Sequence, residues 1–90
     1  MKYSQEEIIE LENIVTLIDS KNKELFNLKC DLEIILKSDD LGYPVEFFFR
    51  GTTHTFEVLT STIIDFYNTK IDNLTNEIES LEKRLQKLVK

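Results

Sequence analysis

The chain has few of the residues that build disulfide-bonded or membrane-embedded proteins. Its 90 residues include one cysteine, one proline and two glycines. Cys30 alone excludes an internal disulfide framework and is typical of a reducing compartment, so we expect a cytoplasmic protein. No apolar run approaches the roughly 20 residues that a membrane-spanning helix needs. We therefore expect no membrane insertion.

Positive charge is also scarce. Lys and Arg total 11 against 17 Asp and Glu, which gives a formal net charge of -6. Such a surface disfavours phosphate backbones and anionic lipids, so we expect neither nucleic acid nor a membrane as a partner. Alanine is absent, only Arg50 and Arg84 are arginines, and Ile, Lys and Asn are abundant. This composition indicates an AT-rich coding genome, such as that of a low-GC bacterium, its phage or a large virus.

The last third of the chain repeats apolar residues with a strict three-four spacing. This pattern predicts an amphipathic helix over about 61–89, which must bury its stripe against another helix. We expect this helix to begin near Thr60 to Thr62, where Thr62 and Asp65 have the spacing of a capping box. The stripe consists of Ile64, Tyr67, Ile71, Leu74, Ile78, Leu81, Leu85 and Leu88.

A second long helix is predicted at the N-terminal end, over about 4–40, with its end at about Lys37 or Leu41. Ser4 and Glu7 have capping-box spacing, while Gly42 is the predicted C-cap with Pro44 just beyond it. Lys21 interrupts the apolar stripe, but no Gly or Pro forces a break there, so we predict a continuous helix. The stripe consists of Leu11, Ile14, Ile18, Leu25, Leu28, Leu32 and Ile35.

Between the helices the apolar period changes to two, which predicts a β-hairpin over about 45–58. Gly51 and Thr52 are the predicted turn, because Gly in the first position suits a type II′ turn. This register sets Phe47 opposite Phe56 and makes one face of the hairpin almost wholly apolar.

Two partners compete for the C-terminal stripe: a parallel second copy of the same helix, or the N-terminal helix of the same chain. Folding back within the chain gives an apolar partner to every core position except Lys21, so we favour this arrangement. The predicted fold is α+β, mainly α, with two long antiparallel helices connected by a β-hairpin. In this register Lys21 faces Ile78, Asp31 lies near Lys70, and Glu24 lies near Glu77.

Apolar residues outside the helix seam need a further cover. We expect the hairpin's apolar face to cover Ile34, Leu36, Ile63 and Phe66. The remainder predicts a homo-oligomer, a dimer or higher, because only a second chain can reach the far end. The predicted oligomer interface includes Ile9, Val15, Leu17, Phe26 and Phe48.

The hairpin tip concentrates groups that could bind a phosphate or carboxylate. Arg50 would be a bidentate donor, hydroxyls and backbone N–H groups would assist it, and His54 would add charge when protonated. The competing interpretation is a plain β-turn whose threonines are chosen for strand propensity. The candidate ligand-binding residues are Phe48, Arg50, Thr52, Thr53, His54 and Thr55.

No catalytic pattern is present: the sequence has no metal-ligand spacing, no phosphate-binding loop and no nucleophile elbow. Asp39 and Asp40 lack a second ligand cluster, and Cys30 lacks a nearby base in sequence. We therefore expect a protein that is not an enzyme and needs no metal or cofactor.

Small size and acidity resemble the accessory proteins of phages and mobile elements, many of which occupy a host factor. The favoured function is an inhibitor or adaptor that binds a host protein in the host cytoplasm. The alternative is an oligomeric sponge that sequesters a small anionic, nucleotide-type signal at intersubunit pockets near the hairpin. A third possibility is a structural coiled-coil assembly protein.

Overall fold

The computed structural model describes residues 2–89 and consists of two long helices joined by an antiparallel β-hairpin. Helix α1 spans Gln5–Lys37, strand β1 Gly42–Phe49, strand β2 Thr52–Leu59 and helix α2 Thr60–Leu88. Helix α1 is continuous over 33 residues, as predicted. The mainly helical architecture with one hairpin is confirmed.

The start of α1 forms the predicted capping box. The Ser4 hydroxyl accepts from the Glu7 backbone N–H at 3.1 Å, and the Glu7 carboxylate accepts from the Ser4 N–H at 3.0 Å. These two bonds satisfy backbone donors that the first turn leaves without intrahelical partners. The local sequence therefore fixes where α1 begins.

Helix α1 ends at Lys37, the earlier of its two predicted ends, but the predicted C-cap at Gly42 is wrong. The helix stops at Lys37, because Ser38 turns to an extended conformation and Asp40 N–H donates to the Ser38 hydroxyl. Gly42 is not a helix cap but the first residue of β1. A Cβ at Gly42 would lie 3.0 Å from the Val58 carbonyl oxygen, so glycine permits this close approach of the two strands.

Helix α2 begins at Thr60, within the predicted range of Thr60 to Thr62, but without the predicted cap. Its N-cap is Leu59, without a side-chain capping bond, so the expected capping box of Thr62 with Asp65 is wrong. The Thr60 hydroxyl instead donates to the Asp40 carbonyl at 2.6 Å, and the Thr60 N–H donates to the Leu41 carbonyl at 3.0 Å. These bonds tie the first turn of α2 to the segment that follows α1.

The hairpin turn lies one residue earlier than predicted. Arg50 and Gly51 occupy it with φ of 51° and 76°, the pattern of a type I′ turn. Phe47 consequently faces His54, and Phe56 faces Val45. This pairing is displaced by two positions from the predicted one, so each side chain stays on its predicted face.

Helix α1 packs antiparallel along α2, and cross-helix ion pairs differ from the predicted set. Glu24 lies 3.6 Å from Lys70, which we expected beside Asp31. Lys21 bonds Glu77 rather than simply facing Ile78. Within residues 2–89 the inter-helix ion pairs are therefore Lys21 with Glu77, Lys70 with Glu24, and Arg84 with Glu10.

The buried core is small. In the described part of the chain the buried apolar residues are Ile14, Leu74 and Ile78. The Cα positions span 57 × 34 × 14 Å, so the molecule is a slab about one helix thick. Domains normally bury their apolar faces between two packed layers, and this chain supplies only one.

Candidate functional site

The hairpin projects from the helices instead of lying over them. Only its base is partly buried, at Gly42, Tyr43, Val45 and Val58, while the rest of both strands is exposed. The expectation that it covers the apolar residues at this end of the helices is therefore wrong for Ile34, Leu36 and Phe66, whereas Ile63 is half-buried beside the hairpin base. Ile34, Leu36 and Phe66 are each at least 60% exposed.

A shallow apolar cavity of about 360 Å³ lies where the hairpin base meets both helices. It exists because α1 ends, β1 begins and α2 begins within one small region. Its walls come from Ile35 of α1, the start of β1 and the first turns of α2. None of the predicted site residues lines this cavity. The lining residues are Ile35, Tyr43, Pro44, Val45, Ile63, Phe66 and Tyr67.

Four phenylalanines of the projecting hairpin, Phe47, Phe48, Phe49 and Phe56, form what we call the hairpin surface. Each is more than half exposed, and Phe48 is 75% exposed. Phe47 and Phe56 lie on one face, with ring centroids 5.7 Å apart and edge-to-face. Phe48 projects from the opposite face because successive strand residues alternate. Exposed aromatic clusters of this kind mark interaction surfaces.

The structure separates the predicted ligand-binding residues into groups. Thr52 and His54 lie on the face of Phe47, whereas Thr53 and Thr55 lie on the face of Phe48. The Arg50 guanidinium lies over the Phe49 ring, 5.4 Å from its centroid. The candidate donors of one chain therefore do not converge on one bound anion.

The predicted oligomer-interface residues of α1 are exposed but do not share one side. Val15 and Phe26 are eleven positions apart, about three turns, so both lie on the same flank. Leu17 lies roughly 200° around the helix from Val15, and Ile9 roughly 120° in the same direction, so these two residues lie about 80° apart on another side. The structure thus divides the set, and we call the side with Val15 and Phe26 the α1 flank.

Lys21 forms an ion pair with Glu77 across the two helices. Its ammonium hydrogen-bonds the Glu77 carboxylate, and this bond together with its charge holds the pKa of Glu77 below the ordinary value. The charge of Lys70 adds a smaller effect in the same direction. The exposed Glu77 carboxylate is therefore held as an anion that links the two helices.

Further features of residues 2–89 bear on the class of site. No group of three or more His, Cys, Asp or Glu residues is arranged to hold a metal ion. Neither described helix is both long and apolar enough to cross a bilayer. Cys30 is a free thiol on the exposed surface of α1.

Comparison with protein-family models, curated proteins and solved structures finds no match to this chain.

Sequence reasoning missed the base cavity and the exposure of the hairpin. The signal for exposure was present in Phe47, Phe48 and Phe49, because three consecutive strand residues cannot all face the same side. No comparable signal marks the cavity. Its walls come from segments that are distant in sequence, and the bonds of Thr60 to Asp40 and Leu41 help to hold them together.

Proposed function

We propose that this chain is a non-enzymatic binding protein that acts as a homo-oligomer and engages another protein through its hairpin surface. It acts as an inhibitor or adaptor. The observation that carries this proposal is the exposure of Phe48 on a strand that projects from the helices.

Phe48 has the surroundings of an interface anchor. It is paired across the hairpin with Thr53, and Thr55 follows on the same face. Threonine hydroxyls are neutral, so a partner can cover this face without removing a charge from water at these positions. Buried aromatic anchors commonly supply a large share of the free energy of protein association.

The exposed area supports both a second copy and a separate target. The accessible surface is 7209 Å². A compact folded chain of 10.6 kDa exposes about 5,500 Å². The difference of about 1,700 Å² exceeds the roughly 800 Å² that each partner contributes to a standard interface. The α1 flank, with Val15 and Phe26, offers apolar area for this purpose outside the hairpin.

A protein partner fits better than a small anionic ligand. A nucleotide needs convergent donors, and Arg50, His54 and Thr53 diverge within one chain. The compositional bias favours a phage or mobile-element protein whose target is a host protein in the host cytoplasm. The alternative function, a sponge for a small anionic signal, is one of the outcomes that the test below can give.

The test uses purified components. A partner captured from cells by the intact protein is identified, purified, and titrated calorimetrically with the wild type, Phe48→Ser and Phe66→Ser. Phe66 is an exposed phenylalanine outside the hairpin and serves as the matched control. We expect Phe48→Ser to raise the Kd about tenfold or more and Phe66→Ser to leave it nearly unchanged.

Two results would contradict the proposed function. Equal affinity of the wild type and Phe48→Ser would exclude the hairpin surface as the binding site. A small anionic molecule released by heat from the purified protein, with no stoichiometric protein partner, would favour the sponge instead.

A further inference from the structure

We propose that two copies of this chain pair through the outer edge of β2, antiparallel and about a twofold axis at Thr55. The product is one four-stranded sheet. This inference rests on the proposed homo-oligomer and specifies how it is built.

The turn determines which backbone groups are available at each edge. A two-residue turn closes on a hydrogen-bonded pair, here Phe49 with Thr52. The alternate pairs are then not bonded to each other, so their N–H and C=O groups point outward. On β2 the outward residues are Thr53, Thr55 and Glu57, and on β1 they are Pro44, Glu46 and Phe48.

The two edges are not equivalent. Pro44 has no N–H, which interrupts the row of donors along β1. Proline is one of the devices that keep an edge strand from pairing with another chain. Strand β2 has no proline, and Thr53, Thr55 and Glu57 are all exposed. The free edge of β2 is therefore the better template for a second strand.

The charges favour the same edge and are compatible with a register centred on Thr55. With the axis at Thr55, this residue faces the partner's Thr55, and Thr53 faces the partner's Glu57. No like charges oppose each other, and paired threonines are favourable across strands. A twofold pairing of β1 centred on Glu46 would instead set two carboxylates side by side.

Pairing also remedies the weakness of the hairpin. An isolated two-stranded ribbon is marginal in water, whereas three or more strands with an apolar face can be stable. The twofold axis puts Phe47 and Phe56 of both copies on one continuous face of the sheet. Pairing β1 with β2 of the next copy would leave an edge free at each end and build a filament, whereas the twofold contact closes.

Amide hydrogen exchange of the full chain tests the edge directly. In the oligomer we expect the N–H groups of Thr53, Thr55 and Glu57 to exchange about tenfold more slowly or better than those of Glu46 and Phe48. Dilution to the monomer should remove this difference. Protection of the β1 amides instead would place the contact on the wrong edge and overturn the inference.

A pair of variants on one rung of the hairpin supplies the second measurement. Thr55→Pro and Glu46→Pro each remove one outward N–H. They spare the hydrogen bonds between β1 and β2, because Thr55 and Glu46 face each other as a pair that is not hydrogen-bonded to each other. By light scattering we expect Thr55→Pro to be a monomer at a concentration where the wild type and Glu46→Pro are dimers.

The outcomes separate this inference from the proposed function. A wild-type dimer without β2 protection, or a Thr55→Pro dimer, would keep the homo-oligomer and overturn the edge contact. A wild type that is monomeric at about 100 μM, a concentration well above the dissociation constants of most stable homodimers, would overturn both. Folding of each variant is checked by circular dichroism, and the exchange data on the wild type need no variant.

Discussion

The Lys21 ammonium lies 2.5 Å from the Glu77 carboxylate, so the residue that interrupts the apolar stripe of α1 is paired across the helices. Glu77 precedes Ile78, one of the buried core residues. The charged pair therefore lies next to the core. It can form only when α1 and α2 run antiparallel with Lys21 beside Glu77.

Acid should weaken the fold partly through Glu77. Because Lys21 lowers the pKa of Glu77 from 4.5, this carboxylate contributes stability above that value, which is lost as the pH falls through the lowered folded pKa. We expect Glu77→Gln to reduce stability at neutral pH and to flatten its decline below about pH 4.5. Urea unfolding from neutral to acidic pH measures both effects.

Glu79→Gln is the control for that experiment, because it removes one carboxylate from an exposed position of the same helix. It should retain the wild-type acid dependence. Superimposable pH profiles for Glu77→Gln and Glu79→Gln would show that the ion pair with Lys21 makes no specific contribution.

Truncation of the small core should be costly. Ile14 and Leu74 are each only 2% exposed, so Ile14→Ala or Leu74→Ala should lower the free energy of unfolding by about 2–5 kcal/mol. Ile34→Ala, at an exposed position of α1, should change it by less than about 0.5 kcal/mol. Urea unfolding at one fixed protein concentration compares them. Equal losses at Ile14 and Ile34 would contradict this description of the core.

Replacing Arg50 with a residue that suits the turn better should raise the stability of the hairpin. A left-handed conformation costs a non-glycine residue roughly 1–2 kcal/mol, while an exposed cation–π contact such as that with Phe49 returns about 0.5–1 kcal/mol. Arg50→Asn should therefore stabilise the hairpin by about 0.5–1 kcal/mol, since Asn-Gly suits a type I′ turn. Gly51→Ala should destabilise it, and thermal unfolding distinguishes the two. Stabilisation by Gly51→Ala would contradict the positive φ at that position.

The proposed homo-oligomer makes unfolding depend on concentration. If two folded copies associate and unfolded chains do not, each tenfold dilution should cost about 1.4 kcal/mol per mole of dimer. Thermal midpoints measured across a hundredfold concentration range should fall on dilution. A constant midpoint would indicate that folding needs no second copy over that range.

The helix caps that depend on local chemistry could be predicted, and those that depend on distant contacts could not. Ser4 and Glu7 interact within one turn, so their capping box is legible in the sequence. The bond from Thr60 to the Asp40 carbonyl joins residues 20 positions apart and leaves no local signature.

The turn shows a second limit of sequence reasoning. Both Arg50-Gly51 and Gly51-Thr52 place a glycine in a two-residue turn, and both give the same residues to each face. The alternation of apolar residues therefore cannot choose between Phe56 and His54 as the partner of Phe47. Backbone geometry decides, with positive φ at both Arg50 and Gly51.

The sequence predicts which residues lie on each face of the hairpin but not where the hairpin lies relative to the helices. It identifies Phe48 as unusual, because an aromatic residue lies there on the polar side of an amphipathic hairpin. It does not indicate the angle at which the hairpin leaves the helices, on which the exposure of Phe48 depends. The heptad pattern likewise gives the facing sides of the helices but does not determine which ion pairs form between them, and Lys70 binds Glu24, two turns from the predicted Asp31.

In the antiparallel helix pair, the entropy lost when a contact forms increases with its distance from the hairpin. The bond between Thr60 and Asp40 closes a separation of 20 residues, whereas the bond between Arg84 and Glu10 closes one of 74. Because loop-closure entropy grows with separation, zippering from the hairpin towards the helix ends is the least costly order of assembly. The Arg84–Glu10 end is then the first to fray.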